Sequence, residues 1–435
     1  MTRIAFRFCV AYFGLLCMLF AQILVVFAGP LYAYLAADAI GGQMDSIDKF
    51  VRFVGNHVFR TEVAPLRKSY SGDQAPVWVL ICCVIAAATA ITAVWSILDR
   101  RRTEYIRFHA WFLTFIRLCL GGQLLCYGMA KVIPLQMPRP TLITLLQPYG
   151  DFSRAAVLWN QVGTAPVYEM LLGTAEVLGG LLLFSRRTAT LGGLVSLVTL
   201  LQVFVLNMTF DIPVKLLSFH LVLMCLFILT PQARRLANIL VLERYSEPAT
   251  TPRGFRGERA NRIAALATAA LGIWVLAGGA CMAWEGYRIQ GDGVPAPPLY
   301  GIWNVSAFTI DDRPLPPLTT DEIRWRRVII DTRTAAYQKK DDSFIPAVAQ
   351  VDTAAGTLTL SAPPDTGTAA PGRFPPYTYA FTFEQPAPDR LTLHGHFENR
   401  PVTISLRQQD PADLPLRGNG FHWIQEYPDT GRLFR

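Results

Sequence analysis

One acidic residue stands in the apolar stretch LLGTAEVLGGLLLF (171–184), Glu176. A carboxylate near the centre of a bilayer costs about 2.5–3.5 kcal/mol on insertion scales, so something must hold it there. The preceding apolar stretch, FHAWFLTFIRLCLGGQLLCYGMAK (108–131), offers two cations, Arg117 and Lys131. Glu176 is ten residues in from Pro166, and Arg117 is nine residues in from Phe108. At a helical rise of about 1.5 Å per residue both lie roughly 15 Å deep. On consecutive antiparallel helices this predicts an Arg117–Glu176 pair, because pairing removes most of the cost of burying either ion. Arg117, Gly121, Leu124, Gly128 and Lys131 share one helix face, as do Glu169, Gly173, Glu176 and Gly180. Small residues let membrane helices approach closely. Lys131, near the outer end, is expected to snorkel toward Glu169.

Such a pair either fixes helix register or forms a midplane proton or ligand site. Arg117, Gln123 and Glu176 have the donors and the proton acceptor that a quinone head group needs in an apolar slot. A second polar group follows in NMTFDIPVKLLSFH (207–220), with Asn207, Asp211, Lys215 and His220. Asp211 shortly before Pro213 reads as a helix cap. Asp211, Lys215 and Ser218 share a face, and His220 points about 140° away from Lys215. A helix-to-helix hydrogen bond accounts for His220 as well as proton transfer does. The candidate catalytic residues are thus Glu176, Arg117, Lys131, Asp211 and His220, and the candidate cofactor-binding residues are Gln123, Glu169 and Lys215.

The elements that position these residues are membrane helices. The chain has 435 residues, 52% hydrophobic and only 17% charged, with a mean hydropathy of +0.30. A soluble domain carries about 25% charged residues. Seven stretches reach the roughly 20 residues needed to span hydrocarbon: 8–35, 77–98, 108–133, 166–185, 188–207, 213–231 and 261–284. The first is expected to be a retained signal anchor. The Arg-rich connections (99–107, 185–187 and 231–262), with Arg3 and Arg7, all fall on one side of such a seven-span chain. The positive-inside bias makes that side cytoplasmic. The net charge of +8 has the same origin and does not point to nucleic acid. From Glu285 onward there are 15 Lys/Arg against 18 Asp/Glu, while the remainder holds 25 against 14. All eight cysteines fall inside the expected spans without a CxxC. They read as small apolar packing residues rather than a dithiol relay.

Four regions follow. Residues 1–107 form a helical hairpin with a long periplasmic loop. In that loop Ile47, Phe50, Val51, Val54 and Val58 have the spacing of a short surface helix. Residues 108–240 form a four-helix bundle, and 241–284 a cytoplasmic linker and the seventh span. Residues 285–435 form an all-β antiparallel periplasmic domain, a small barrel or curled sheet. Its strands are read from RWRRVII, AVAQVD, TLTLS, YTYAFTFE, RLTLHGHF, PVTISLRQ and FHWIQEY, separated by turn residues. His394, His396 and His422, with Glu426, raise a zinc or copper site, but solvent-facing strand positions explain them more simply. Trp303, Trp325 and Trp423 read as core. Haem is not indicated, because the two histidines near the spans, His109 and His220, sit at opposite ends of their helices. No dinucleotide fingerprint, P-loop or zinc-type cysteine spacing is present.

The stretches FIRLCLGGQLLCYGMAKVIP, AEVLGGLLLFSRRTATLGGLVSL and DIPVKLLSFHLVLM resemble the DoxX family of four-helix membrane proteins, over residues 108–235. That resemblance implies a bacterial inner-membrane protein, in some members linked to quinol oxidases or thiosulfate:quinone oxidoreductases. Two functions are expected from these readings. One is a redox-associated membrane subunit that binds a quinone near Arg117 and Glu176 and works with a redox partner subunit. The other is a non-enzymatic scaffold in the lipid bilayer that presents the β domain to a ligand or partner.

Overall fold

The computed structural model describes residues 2–34, 47–61, 63, 72–102, 104–248, 254–364, 376–418, 420, 423 and 424. The chain divides into a helical unit (Met1–Pro138 and Ser153–Gly291) and a β unit (Arg139–Phe152 and Asp292–Arg435).

In the helical unit the main helices are α1 (Arg3–Leu19), α2 (Ala75–Leu98), α3 (Ile106–Val132), α4 (Pro166–Phe184), α5 (Ala189–Thr209), α6 (Lys215–Leu229) and α7 (Glu258–Gln290). Six of these, α2 to α7, are long and apolar enough to cross a membrane, with α6 extended by a 3₁₀ turn to Leu240. The first expected span is not one helix. After Leu19 the chain bends by 77° into the segment Gln22–Tyr32, and the count reaches seven when this bent pair is taken as one span. Gly29 has φ +58° and precedes Pro30, which lacks an N–H, so no regular helix continues through them. Gly29 lies flat on α7, where a Cβ added at Gly278 would meet its Cα at 2.4 Å. Irregular backbone at membrane depth must find hydrogen bonds within the protein. Gln123 Nε2 donates to the Gln22 carbonyl at 2.9 Å, and Trp274 Nε1 donates to that of Phe27 at 3.2 Å.

The start of α1 is tied to the α2–α3 connection. Arg7, buried, donates to the Tyr105 hydroxyl and to the Asp99 carbonyl, and Tyr105 donates to the Asp99 carboxylate at 2.6 Å. The chain's first arginines therefore lie on the same side of the helical unit as the Arg-rich 99–107 connection. In the expected surface helix, residues 47–54 are helical and Val51 is fully buried, but Phe50 and Val58 are exposed. All eight cysteines are in helices and free; Cys17, Cys119 and Cys225 are buried, whereas Cys82 and Cys281 are exposed.

The β unit is a closed antiparallel barrel in the order β1-β3-β4-β5-β6-β7-β8-β9, with β9 pairing back onto β1. The strands are β1 (Gly301–Ile310), β2 (Arg313–Pro314), β3 (Trp325–Ile330), β4 (Ala335–Lys339), β5 (Phe344–Asp352), β6 (Thr357–Ser361), β7 (Thr378–Ala387), β8 (Arg390–Phe397) and β9 (Arg400–Gln409). Strand β2 only flanks the end of β1. Closure removes the exposed edges that an open sheet would leave. In β8, Leu391, Leu393 and Phe397 point inward and His394 and His396 outward, the period of two that pleating imposes. Trp303 and Phe308 both face inward although they stand five positions apart, because a bulge between Val305 and Ala307 shifts the register. Trp325 and Val328 are reconciled by a second bulge between Trp325 and Arg327. Trp303 and Trp325 are core, as expected, whereas Trp423 is 92% exposed and is not core.

The β unit begins at Asp292, after α7 runs on to Gln290, rather than at residue 285. It also takes in Arg139–Phe152, from the middle of the expected four-helix region. Within that segment Thr141 caps the short helix Leu142–Leu146. Leu142, fully buried, packs with Ile302 and Ile329, and its N–H donates to Asp331 Oδ2 at 2.6 Å. Arg139 bonds Asp292 through its backbone N–H and its side chain. Ile302 and Ile329 are paired neighbours on the face of β1 and β3 opposite to inward Trp303 and Val328, so the clasp covers the outside of the barrel wall; burying one leucine there contributes about 1.5–3 kcal/mol.

Candidate functional site

Arg117 and Lys131 of α3 and Glu169 and Glu176 of α4 are buried, but Arg117 and Glu176 are not partners. Lys131 Nζ donates to both carboxylate oxygens of Glu176, at 2.8 and 2.7 Å, and the two residues are 6% and 3% exposed. Register and side-chain direction explain the difference. Gly121 faces Gly180 and Phe184, and Gly128 faces Gly173 and Val177. Arg117 therefore lies level with the end of α4, about eight residues or 12 Å of rise from Glu176. Side chains also lean toward their own helix N-terminus. In an antiparallel pair, Lys131 and Glu176 lean toward each other, whereas Arg117 and Glu176 lean apart. The glycines bring the backbones together as expected: a Cβ added at Gly173 would meet Gly128 O and Lys131 Cβ at 2.6 Å.

The remaining candidates fall into separate local clusters. Arg117, 5% exposed, donates through Nε and Nη2 to the Leu183 carbonyl at 3.0 and 2.8 Å. It thus places a cation on the carbonyl-rich C-terminus of α4, where the helix dipole favours one. Glu169, fully buried, accepts the Met137 N–H at 3.0 Å and does not receive Lys131, whose ammonium is held on Glu176. Gln123 serves the bent first segment. His220 has both ring nitrogens engaged. Since a carbonyl only accepts, Nδ1 carries the proton that goes to Leu216 O at 2.6 Å, and Nε2 accepts the Tyr12 hydroxyl at 2.5 Å. The cavity beside it, about 10 Å³ between Leu16, Phe20, Ile23 and Met224, has room for about one water at most.

At the start of α6, Asp211 does not cap. It has φ +56° and pairs with Lys215 at 2.8 Å. The cap comes from Asp73, whose two oxygens accept the N–H groups of Lys215 and Leu216 at 2.8 and 2.9 Å. The Lys215 hydrogen bond holds the exposed Asp211 carboxyl below its ordinary 3.8. Asp99 is lowered likewise, first by the Tyr105 hydroxyl. Asn207 donates to Ser218 Oγ at 3.0 Å. Sequence reasoning missed Tyr12, Asp73 and the Leu142 clasp. Each joins residues far apart in the chain, and no local spacing signals it.

In the barrel, His394 and His396 are exposed, and His394 Nδ1 lies 3.2 Å from Thr403 Oγ1. Among the described residues no group of three His, Cys, Asp or Glu side chains converges as a metal site would need. His422 and Glu426 lie outside the described residues.

The quinone reading takes donors from Arg117 and Gln123 and a proton acceptor from Glu176 around one slot. The structure engages these on Leu183, Gln22 and Lys131 respectively. A quinone head group bound by all three would displace these hydrogen bonds.

Fold and site together define a polytopic helical membrane protein with a C-terminal antiparallel barrel. Over 123 residues, 28% of the chain, it is 32% identical to the uncharacterized protein YwoB of Bacillus subtilis (strain 168), covering 78% of that protein. The chain belongs to the YwoB family. No protein-family model and no solved structure matches it.

Proposed function

We propose that the protein is a non-enzymatic membrane scaffold that holds its barrel domain at the periplasmic face of a bacterial inner membrane, for binding a ligand or partner. The observation that carries this reading is the clasp. A segment between two bundle helices belongs to the barrel unit and covers the outer face of its wall, with Leu142 on Ile302 and Ile329 and its N–H on Asp331. The barrel unit is thereby joined to the helices at three points of the chain, Pro138/Arg139, Phe152/Ser153 and Gly291/Asp292. A domain that only trailed from the last span would have one. The polar groups Arg117, Gln123, Lys131, Glu176 and His220 support the same reading, since each closes on a partner within the bundle. The cytoplasmic placement of the N-terminus rests on the arginines clustered beside it.

The test is complementation in a strain lacking the gene. The reading predicts that Lys131→Met/Glu176→Leu restores function, whereas a chain ending at Gly291 and matched for membrane level does not. A functional truncated chain would overturn it. A second reading, implied by the DoxX resemblance, is a redox-associated subunit working with a quinone and a partner subunit. It is supported by the burial of Lys131, Glu169 and Glu176 together at membrane depth, where ionisable residues commonly mark proton pathways. It predicts that the double variant fails in the same strain.

A further inference from the structure

Helix α5 lies at the edge of the bundle. It packs against α4 and α6, and only 22% of its membrane-crossing window is buried. Its open face carries Leu191, Val198, Gln202, Val205 and Met208, all exposed. Gln202 is the anomaly. It stands seven residues short of Thr209, about 10 Å of helix from the nearer end, which is too far for its side chain to reach the polar boundary. Among the described residues no hydrogen bond reaches its amide.

The contrast with neighbouring hydroxyls is clear. Thr89, Thr174, Thr199 and Thr268 each fold back onto a carbonyl of their own helix. An amide left without partners in hydrocarbon is costly, and interhelical hydrogen bonds from such residues drive helix association in membranes. The surrounding pattern fits a helix partner. Leu191, Val198 and Val205 recur every seven residues, as do Val195, Gln202 and Thr209, so the steps alternate between four and three along the whole helix. That is the seam of two supercoiled helices, and a single polar residue in such a seam fixes register.

We propose that this face of α5 is a homodimer interface, in which Gln202 of each copy hydrogen-bonds the amide of the other. A second copy is the occupant because a primary amide is self-complementary, with a carbonyl to accept and an NH₂ to donate. A two-fold axis through Gln202 satisfies both sides with the same residue.

The experiment is single-molecule photobleaching of the labelled full-length chain in liposomes across a range of protein-to-lipid ratios. The wild type is expected to dimerise. Gln202→Leu, on a lipid-facing surface and without effect on folding, should dissociate roughly three- to twenty-fold more readily, and Gln202→Asn should retain most of the association. In a Cys82→Ala/Cys281→Ala background, Val198→Cys should cross-link under copper–phenanthroline, and Ile273→Cys, exposed on α7, should not. A wild type that stays monomeric at every density overturns the proposal. So does a Gln202→Leu variant that dimerises as tightly as wild type, or equal cross-linking at both cysteines.

Discussion

The Lys131–Glu176 pair can be separated into its structural and functional parts by a double-mutant cycle. At 2.7 Å and an effective dielectric near 20, the attraction is about 6 kcal/mol. Desolvating the two ions costs several kcal/mol each, so the intact pair is close to neutral in net stability. Removing one partner is different, because it leaves the other charge buried without compensation. Glu176→Leu alone, or Lys131→Met alone, should therefore destabilise the helical unit by about 3–5 kcal/mol. The double variant Lys131→Met/Glu176→Leu keeps the volume roughly constant and removes both ions, so it should return to wild-type stability or exceed it by about 1–4 kcal/mol. The assay is unfolding of the four proteins in mixed micelles by added SDS, followed by far-UV circular dichroism. The favourable coupling energy should be several kcal/mol. Single variants within about 0.5 kcal/mol of wild type would refute the argument that the pair is buried and closed. A double variant as unstable as the sum of the singles would refute the pairing itself.

Other consequences follow from the same geometry. Gly173→Ala puts a methyl into the Gly128 carbonyl and Lys131, and should cost about 1–3 kcal/mol in the same SDS assay. Leu142→Ala should lower the stability of the barrel by about 2–5 kcal/mol; thermal unfolding of the full chain followed by near-UV circular dichroism reads this through buried Trp303 and Trp325. Asp99 and Asp211 have folded pKa values below 3.8, so their contribution is present above that value and is lost as pH falls through the folded values. Melting temperature should be flat between about pH 5 and pH 10 and fall below 3.8, with a shallower fall in Asp211→Asn. The barrel's Tyr377 hydroxyl is pushed up to about 12, and that of Tyr337 is raised too, both mainly by burial. Their contribution is complete below about pH 10 and is lost as pH rises through the folded values, so ultraviolet titration of tyrosinate should coincide with loss of the barrel's near-UV signal.

Helices α2 to α7 were legible because hydrocarbon length and apolar composition act locally, residue by residue. The glycine faces of α3 and α4 were legible for the same reason: spacing alone places Gly121, Gly128, Gly173 and Gly180 on facing stripes. The ion pair was misread because matching depths were counted from assumed helix ends. Helix α3 starts at Ile106 and the glycine contacts set a different register, and the lean of side chains along their helices then selects Lys131. The bend after Leu19 depends on Gly29 fitting Gly278 and on donors from Gln123 and Trp274, none of which the apolar run 8–35 reveals. In the barrel, β5 to β9 showed clean alternation. Strand β1 did not, because its bulge breaks the period, and β4 did not, because AAYQK carries little hydrophobic signal. The clasp escaped notice because 139–152 reads as an ordinary connection until Ile302 and Ile329 are in place.

The scaffold account is tested most directly by organic extraction and mass spectrometry of the intact protein, purified in mild detergent beside Glu176→Gln. The account predicts no near-stoichiometric quinone in either sample. Near-stoichiometric quinone in the wild type, lost in Glu176→Gln while the variant remains folded, would contradict it and place Glu176 at a redox site.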